Sequence, residues 1–249
     1  MTMNRKLIQK LRSWADQYET RDFISTDPVQ FPRSFFDTKA SIQDIEISAF
    51  VTSWLAYGNR KQIIAKAQQL HLLMEWQPLE YIRSKRWAVF LSDDRTLYRF
   101  YKWSDFAALC QRLESVYRVE SQSLGQVITK TEKSPLCAII DLFQGVKGVP
   151  KTDDSACKRL CMFLRWMVRS DSPVDMGVWS DIIRKQDLLI PLDTHVYSMA
   201  LSLGLTDRKQ EDMVTAIEIT DKFRQVFPDD PSKGDFALFG YGINNTNQK

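Results

Sequence analysis

Apolar residues recur along this chain at three- and four-residue intervals, a period that predicts helix almost throughout. Residues 4–19 put Leu7, Ile8, Leu11 and Trp14 on one face. From Ser41 to Tyr57, Ile42, Ile45, Ala49, Phe50, Trp54 and Leu55 keep the same spacing, and Ser41 followed by Asp44 offers an N-terminal cap. Gly58 breaks that helix and residues 60–75 form the next. Further helices are predicted from Pro78, over 105–118 behind Ser104, over 135–144, from Ala156 to Arg169, from Asp193 to near Gly204, over 209–226 and in a short terminal segment. The segment 26–36 carries two prolines and reads as a connection. Residues 145–154, "GVKGVPKTDD", read as a loop, and 170–190 as looser chain. Strand-like alternation is hard to find. The expected fold is all-α with about nine or ten helices, in two helical subdomains flanking a cleft. One would span 41–154, and 1–40 would join 155–249 in the other.

Composition narrows the classes. A chain of 249 residues that is 44% hydrophobic and 12% aromatic can build a core and is not globally disordered. A formal charge of +3 is too small to mark a nucleic-acid binder unless the basic residues cluster. The four cysteines, Cys110, Cys137, Cys157 and Cys161, form no Cys-x-x-Cys pair, and His71 and His195 are the only histidines. No zinc or iron–sulfur set results, and the thiols read as reduced. The charged N-terminus has no signal-peptide core and no apolar run nears the roughly 20 residues of a membrane span. A soluble, cytoplasmic monomer is expected.

Two helix starts carry candidate chemistry. With about 100° of rotation per residue, Leu160, Phe163, Leu164, Met167 and Val168 share one arc of the helix after Ser155. Lys158, Met162, Arg165 and Arg169 share the opposite arc, with Arg159 and Trp166 beside it. The plain reading of that arc is a solvated charged face. Two details point elsewhere: the arc holds no acid to form i, i+4 pairs, and Lys158 lies in the first turn, where the helix dipole disfavours a cation. A lysine nucleophile must lose its proton, from a free pKa near about 10.4, so an environment that disfavours the ammonium is useful. In "IPLDTHVYSMALSLGL", Asp193 sits at the next such start. As a favoured N-cap it needs no further role. With a neutral amine nearby, the two groups can together form and break a covalent imine.

The segment "PLDTHVYSMALSLGL" resembles the aspartate-bearing segment of the helix-hairpin-helix DNA glycosylases, the endonuclease III and 8-oxoguanine glycosylase group. "CKRLCMFLRWMVR" resembles the lysine-bearing helix of the 8-oxoguanine glycosylases, particularly the archaeal branches. Together with "LAYGNR" and "GDFALFGYGI", these runs also resemble an uncharacterised bacterial family, domain of unknown function 2400, from about residue 40 onward. The glycosylase resemblance implies a DNA glycosylase with lyase activity on a damaged purine such as 8-oxoguanine. Lys158 would be the imine-forming amine and Asp193 the catalytic acid, with damaged duplex DNA as partner and no cofactor or metal. It implies that Arg159, Arg165 and Arg169 hold phosphates and that Asn59 or Arg60 probes a flipped-out base. Met162, Asp235 and Phe239 would line the base pocket. One departure stands out: the superfamily's Leu-Pro-Gly-Val-Gly hairpin has only "GVKGVP" (145–150) as counterpart, eight residues before Lys158. A non-catalytic nucleic-acid-binding protein that keeps the fold is the alternative, and a helical interaction protein a third reading.

Overall fold

A computed structural model describes residues 3–151 and 155–246. Helix dominates it: α1 (Arg5–Tyr18), α2 (Arg21–Ser25), α3 (Gln30–Asp37), α4 (Ile42–Leu55), α5 (Arg60–Leu73), α6 (Pro78–Arg83), α7 (Trp103–Val116), α8 (Leu124–Thr129), α9 (Pro135–Leu142), α10 (Lys158–Val168), α11 (Thr194–Ser202), α12 (Met213–Arg224) and α13 (Gly234–Thr246). A two-stranded antiparallel hairpin, β1 (Thr96–Tyr98) and β2 (Tyr101–Lys102), is the one sheet among the described residues. The protein is all-α.

The chain divides into two units. The first combines the segment ending at Thr26 with the segment after Lys151; the second is Asp27–Lys151. Residues 27–40 belong to the second unit, where α3 packs along α4.

In the second unit α4 is the hub, touching α3, α5 and α6, and every residue from Ile45 to Leu55 is buried. Its start follows from the sequence: the Ser41 hydroxyl accepts from the Asp44 amide, as expected. Each large apolar side chain buried there, such as Phe50 or Trp54, contributes about 1.5–3 kcal/mol. Among the polar side chains the helix buries, Glu46 and Ser48 are partnered across the unit. Glu46 accepts from the Tyr117 hydroxyl (3.0 Å) and from the Leu124 and Gly125 amides (2.8 and 3.1 Å), so it caps α8 from 78 residues away in sequence. Ser48 Oγ lies 2.7 Å from His71 Nε2, while His71 Nδ1 lies 2.8 Å from the Ala67 carbonyl oxygen. A carbonyl can only accept, so Nδ1 carries the proton and Ser48 donates to Nε2. Burial lowers the His71 pKa to about 4, against a smaller opposing effect of the Ala67 hydrogen bond. Phe31 stacks on the ring at 4.9 Å.

In the first unit α1 lies along α13, α11 also packs on α13, and Gly240 of α13 gives room for the Tyr18 ring. The chain after α10 folds back on it, with the Met176 amide on the Trp166 carbonyl (2.9 Å) and the Trp179 amide on that of Met167 (2.7 Å).

Several boundaries differ from expectation for identifiable reasons. The segment 26–36 holds most of α3, because Pro32 falls in the first turn, where a missing N–H costs nothing. Ser104 lies inside α7, which begins at Trp103, where the Lys102 amide donates to the Asp105 carboxylate at 2.7 Å. Both α2 and α8 are too short to show a period. Part of the expected loop 145–154 lies outside the described residues. Among the described residues no helix is long and apolar enough to cross a membrane.

Candidate functional site

Three helices of the first unit, α10, α11 and α12, have starts joined by contacts. Cys157 precedes α10 in the left-handed region (φ 48°) and gives the helix no side-chain cap, which makes Lys158 its first residue. Asp193 caps α11 through Oδ1, which accepts from the Val196 amide at 2.9 Å. Its other oxygen, Oδ2, lies 3.8 Å from Lys158 Nζ, with the two side chains 41% and 29% exposed. Among the described residues the amine has no other polar partner, and solvent reaches both groups. Asp212 caps α12 by accepting from the Thr215 amide at 2.9 Å. That amide and the Arg208 guanidinium hold the Asp212 carboxyl below the usual carboxylate range. An isolated antiparallel bridge joins Ser155 to Asp212, and Thr194 Oγ1 donates to Glu211 at 3.0 Å. The starts of α10, α11 and α12 are thereby tied to one another. Helix starts present amide N–H groups and a positive dipole end, which suits an anionic ligand such as a phosphate.

The sequence foretells Lys158 and Asp193 as a pair, and the structure brings them together. It misses Glu211 and Asp212; the only trace of them is the Asp-Met-Val-Thr cap pattern at 212–215. Arg159 follows Lys158 in the first turn and is half-buried.

Arg165 and Arg169 need correction. Expected at the surface holding phosphates, they are 3% and 1% exposed. Arg165 pairs with Asp175 (Nε to Oδ1, 3.3 Å) and with Asp235. Arg169 pairs with Asp175, with Asp230 (2.7 Å) and with Glu19 (2.7 Å). Both guanidinium groups lie over the Phe236 ring, at 4.7 and 5.5 Å. Burial alone would lower the Arg169 pKa, but Asp175, Asp230 and Glu19 outweigh it and the pKa is raised. These side chains tie α10 to α13, to the end of α1 and to the 170–175 segment; they are unavailable to a nucleic acid.

The expected base pocket changes with them. Met162 is buried, so it faces the interior. Asp235 serves as a counter-ion of Arg165, and Phe239 packs edge-on against Tyr18 (5.8 Å) and Phe23 (5.1 Å). All three are used in packing this unit.

Asn59 and Arg60 stand in the second unit. Asn59 caps α5 by accepting from the Lys61 amide (3.0 Å), and Arg60 is exposed, 3.8 Å from Asp27. The counterpart of the glycine hairpin is also there. Gly145 and Gly148 both adopt positive φ (87° and 88°), yet the loop is fastened inward: the Lys147 carbonyl accepts from Trp54 Nε1 at 2.7 Å. A Cβ at Gly148 would overlap the Tyr101 hydroxyl, so glycine is required for that close approach.

Among the described residues, no three His, Cys, Asp or Glu side chains group as metal ligands. The site is thus defined as a lone amine beside a helix-capping carboxylate in an all-α protein. The chain belongs to the family described as Protein of unknown function (DUF2400), whose model matches residues 27–244 and so reaches further toward the N-terminus than the motifs suggest. No curated protein and no solved structure matches it.

Proposed function

We propose that the protein is a DNA glycosylase with AP-lyase activity on a damaged purine, acting through an imine at Lys158. The observation that carries this reading is the 3.8 Å approach of the Lys158 amine to Asp193 Oδ2, at two helix starts and open to solvent. The carboxylate is already oriented, because its first oxygen caps α11. With the target nucleotide turned out of the stack, the neutral amine attacks C1′ and the base departs with the bonding electrons. Asp193 stabilises the positive charge that develops on the sugar. The amine then loses its protons as the ring opens to the imine, loss of a C2′ proton expels the 3′ phosphate, and water releases Lys158. Phosphates of the strand would lie against the helix starts, since Arg165 and Arg169 are committed inside the unit.

Borohydride trapping on duplexes bearing an abasic site or 8-oxoguanine tests this. Wild type is expected to give a covalent adduct, Lys158→Gln none, and Asp193→Asn a yield lower by tenfold or more, roughly the loss of one electrostatic stabiliser. An adduct that persists in Lys158→Gln removes the assigned role. The inward-fastened 145–148 loop favours a second reading, a non-catalytic nucleic-acid-binding protein. DNA binding with no adduct on any lesion would select it.

A further inference from the structure

The second unit carries a surface that the lysine chemistry leaves unused. Two of its large aromatic side chains, Tyr57 and Phe100, are 48% and 44% exposed and touch each other edge-on, with ring centroids 5.3 Å apart. They come from different elements: Tyr57 follows α4, and Phe100 lies in the turn between β1 and β2. Exposed rings are often mobile, but these two are built in. The Tyr57 carbonyl accepts from the Tyr98 hydroxyl at 2.6 Å, and the Phe100 carbonyl accepts from the Lys147 ammonium. The Phe100 ring also packs on buried Tyr101 at 4.5 Å. Arg99 takes a left-handed conformation (φ 52°) and lays its guanidinium 5.0 Å from the Tyr57 ring centre. Gly58 (φ 100°) leaves room for it, since a Cβ there would crowd the Arg99 side chain. Cations accompany the rings: Arg99 lies on Tyr57, Lys147 on the Phe100 carbonyl, and Arg60 and Lys61 follow Tyr57 by three and four residues; all four are exposed. The nearby acids are few, Asp27 3.8 Å from Arg60 and Asp105 2.9 Å from Lys147.

We propose that Tyr57, Phe100 and Arg99 form a stacking platform for unpaired bases of DNA, with Arg60, Lys61 and Lys147 facing its backbone. Fixed aromatic faces ringed by positive charge are what single-stranded nucleic acid requires, because every base offers a flat apolar surface and every linkage a negative charge. A neutral, apolar protein partner would be matched by the rings but not by the cations. The inference rests on the nucleic-acid part of the proposed function and is independent of the Lys158 step.

Binding of a fluorescein-labelled oligothymidylate to the full chain, followed by anisotropy at low and moderate salt, tests it. Wild type should bind with an affinity that falls as salt rises. Tyr57→Ala/Phe100→Ala should bind about tenfold more weakly or worse while keeping its helical circular dichroism. Phe100→Trp should bind like wild type and lose part of its added fluorescence on titration, measured as the difference from wild type. Wild type that binds the oligonucleotide but gives no borohydride adduct on any lesion would discard the lyase reading and leave this surface intact. No oligonucleotide binding by wild type, equal binding by the double variant, or unchanged fluorescence of Phe100→Trp at saturation would each overturn the platform. Retained capture of a protein by the same face would then point to a protein interface.

Discussion

At the scale of single residues, the role of a charge in this fold is set by the partner that another segment brings to it, as Asp235 and Glu19 do for Arg165 and Arg169. Lys158 and Asp193 were legible because each sits at a helix start, and such a start needs only local sequence to be recognised. Arg165 and Arg169 were misread for the complementary reason. Their acids are absent from α10 itself, so the arc looked like one awaiting an external anion; the partners stand 70 and 150 residues away, at Asp235 and Glu19. Helical spacing gives a side chain's direction around its own axis and says nothing of what another segment places there. His71 shows the same limit, since no local feature marks it as the floor of a buried aromatic cluster. Its lowered pKa has a measurable consequence. The unfolded chain takes up a proton near the ordinary value of 6.5 and the folded chain only near about 4, so stability is complete above the first value and falls as pH drops through that window. The loss amounts to about 3 kcal/mol. Denaturant titrations of wild type and His71→Gln at pH 7 and near 4 should differ by that much in their pH dependence; parallel curves would sink the assignment.

At the scale of elements, the long helices were readable and the short ones were not. A period needs several turns, which α4 and α5 provide; the six-residue α8 exists because Glu46 and Ser123 together satisfy its leading amides. The hairpin was hidden likewise, with strands of three and two residues. Helix α10 is held by charge as much as by packing. Asp175 contacts both of its arginines and is fully buried on its side chain. Removing Asp175 takes the fully buried counter-ion from both desolvated guanidinium groups, leaving Asp235, Asp230 and Glu19, a loss of about 3–5 kcal/mol. Asp175→Ala should therefore lower the chemical-denaturation stability of the first unit by that order, and a change below about 1 kcal/mol would show that water replaces the carboxylate without penalty.

Across the whole molecule, the two units differ in how the chain supplies them. The second is one continuous stretch, Asp27–Lys151, with its own buried hub in α4. Expressed alone, it should show helical circular dichroism, a cooperative melt and the His71-dependent acid sensitivity. A non-cooperative melt would show that it depends on the remainder. The first unit is assembled from two segments separated by that insertion, and both members of the Lys158–Asp193 pair lie on the later one. Helix α1 rests on α13, which ends the described chain. On a ribosome adding about 5–20 residues per second, α1 waits roughly 10–40 s before its partner α13 emerges. For that interval its apolar stripe is unsheltered, making nascent chains of this protein natural clients of holding chaperones, and the amine–carboxylate pair cannot gain its full support until α13 has been made.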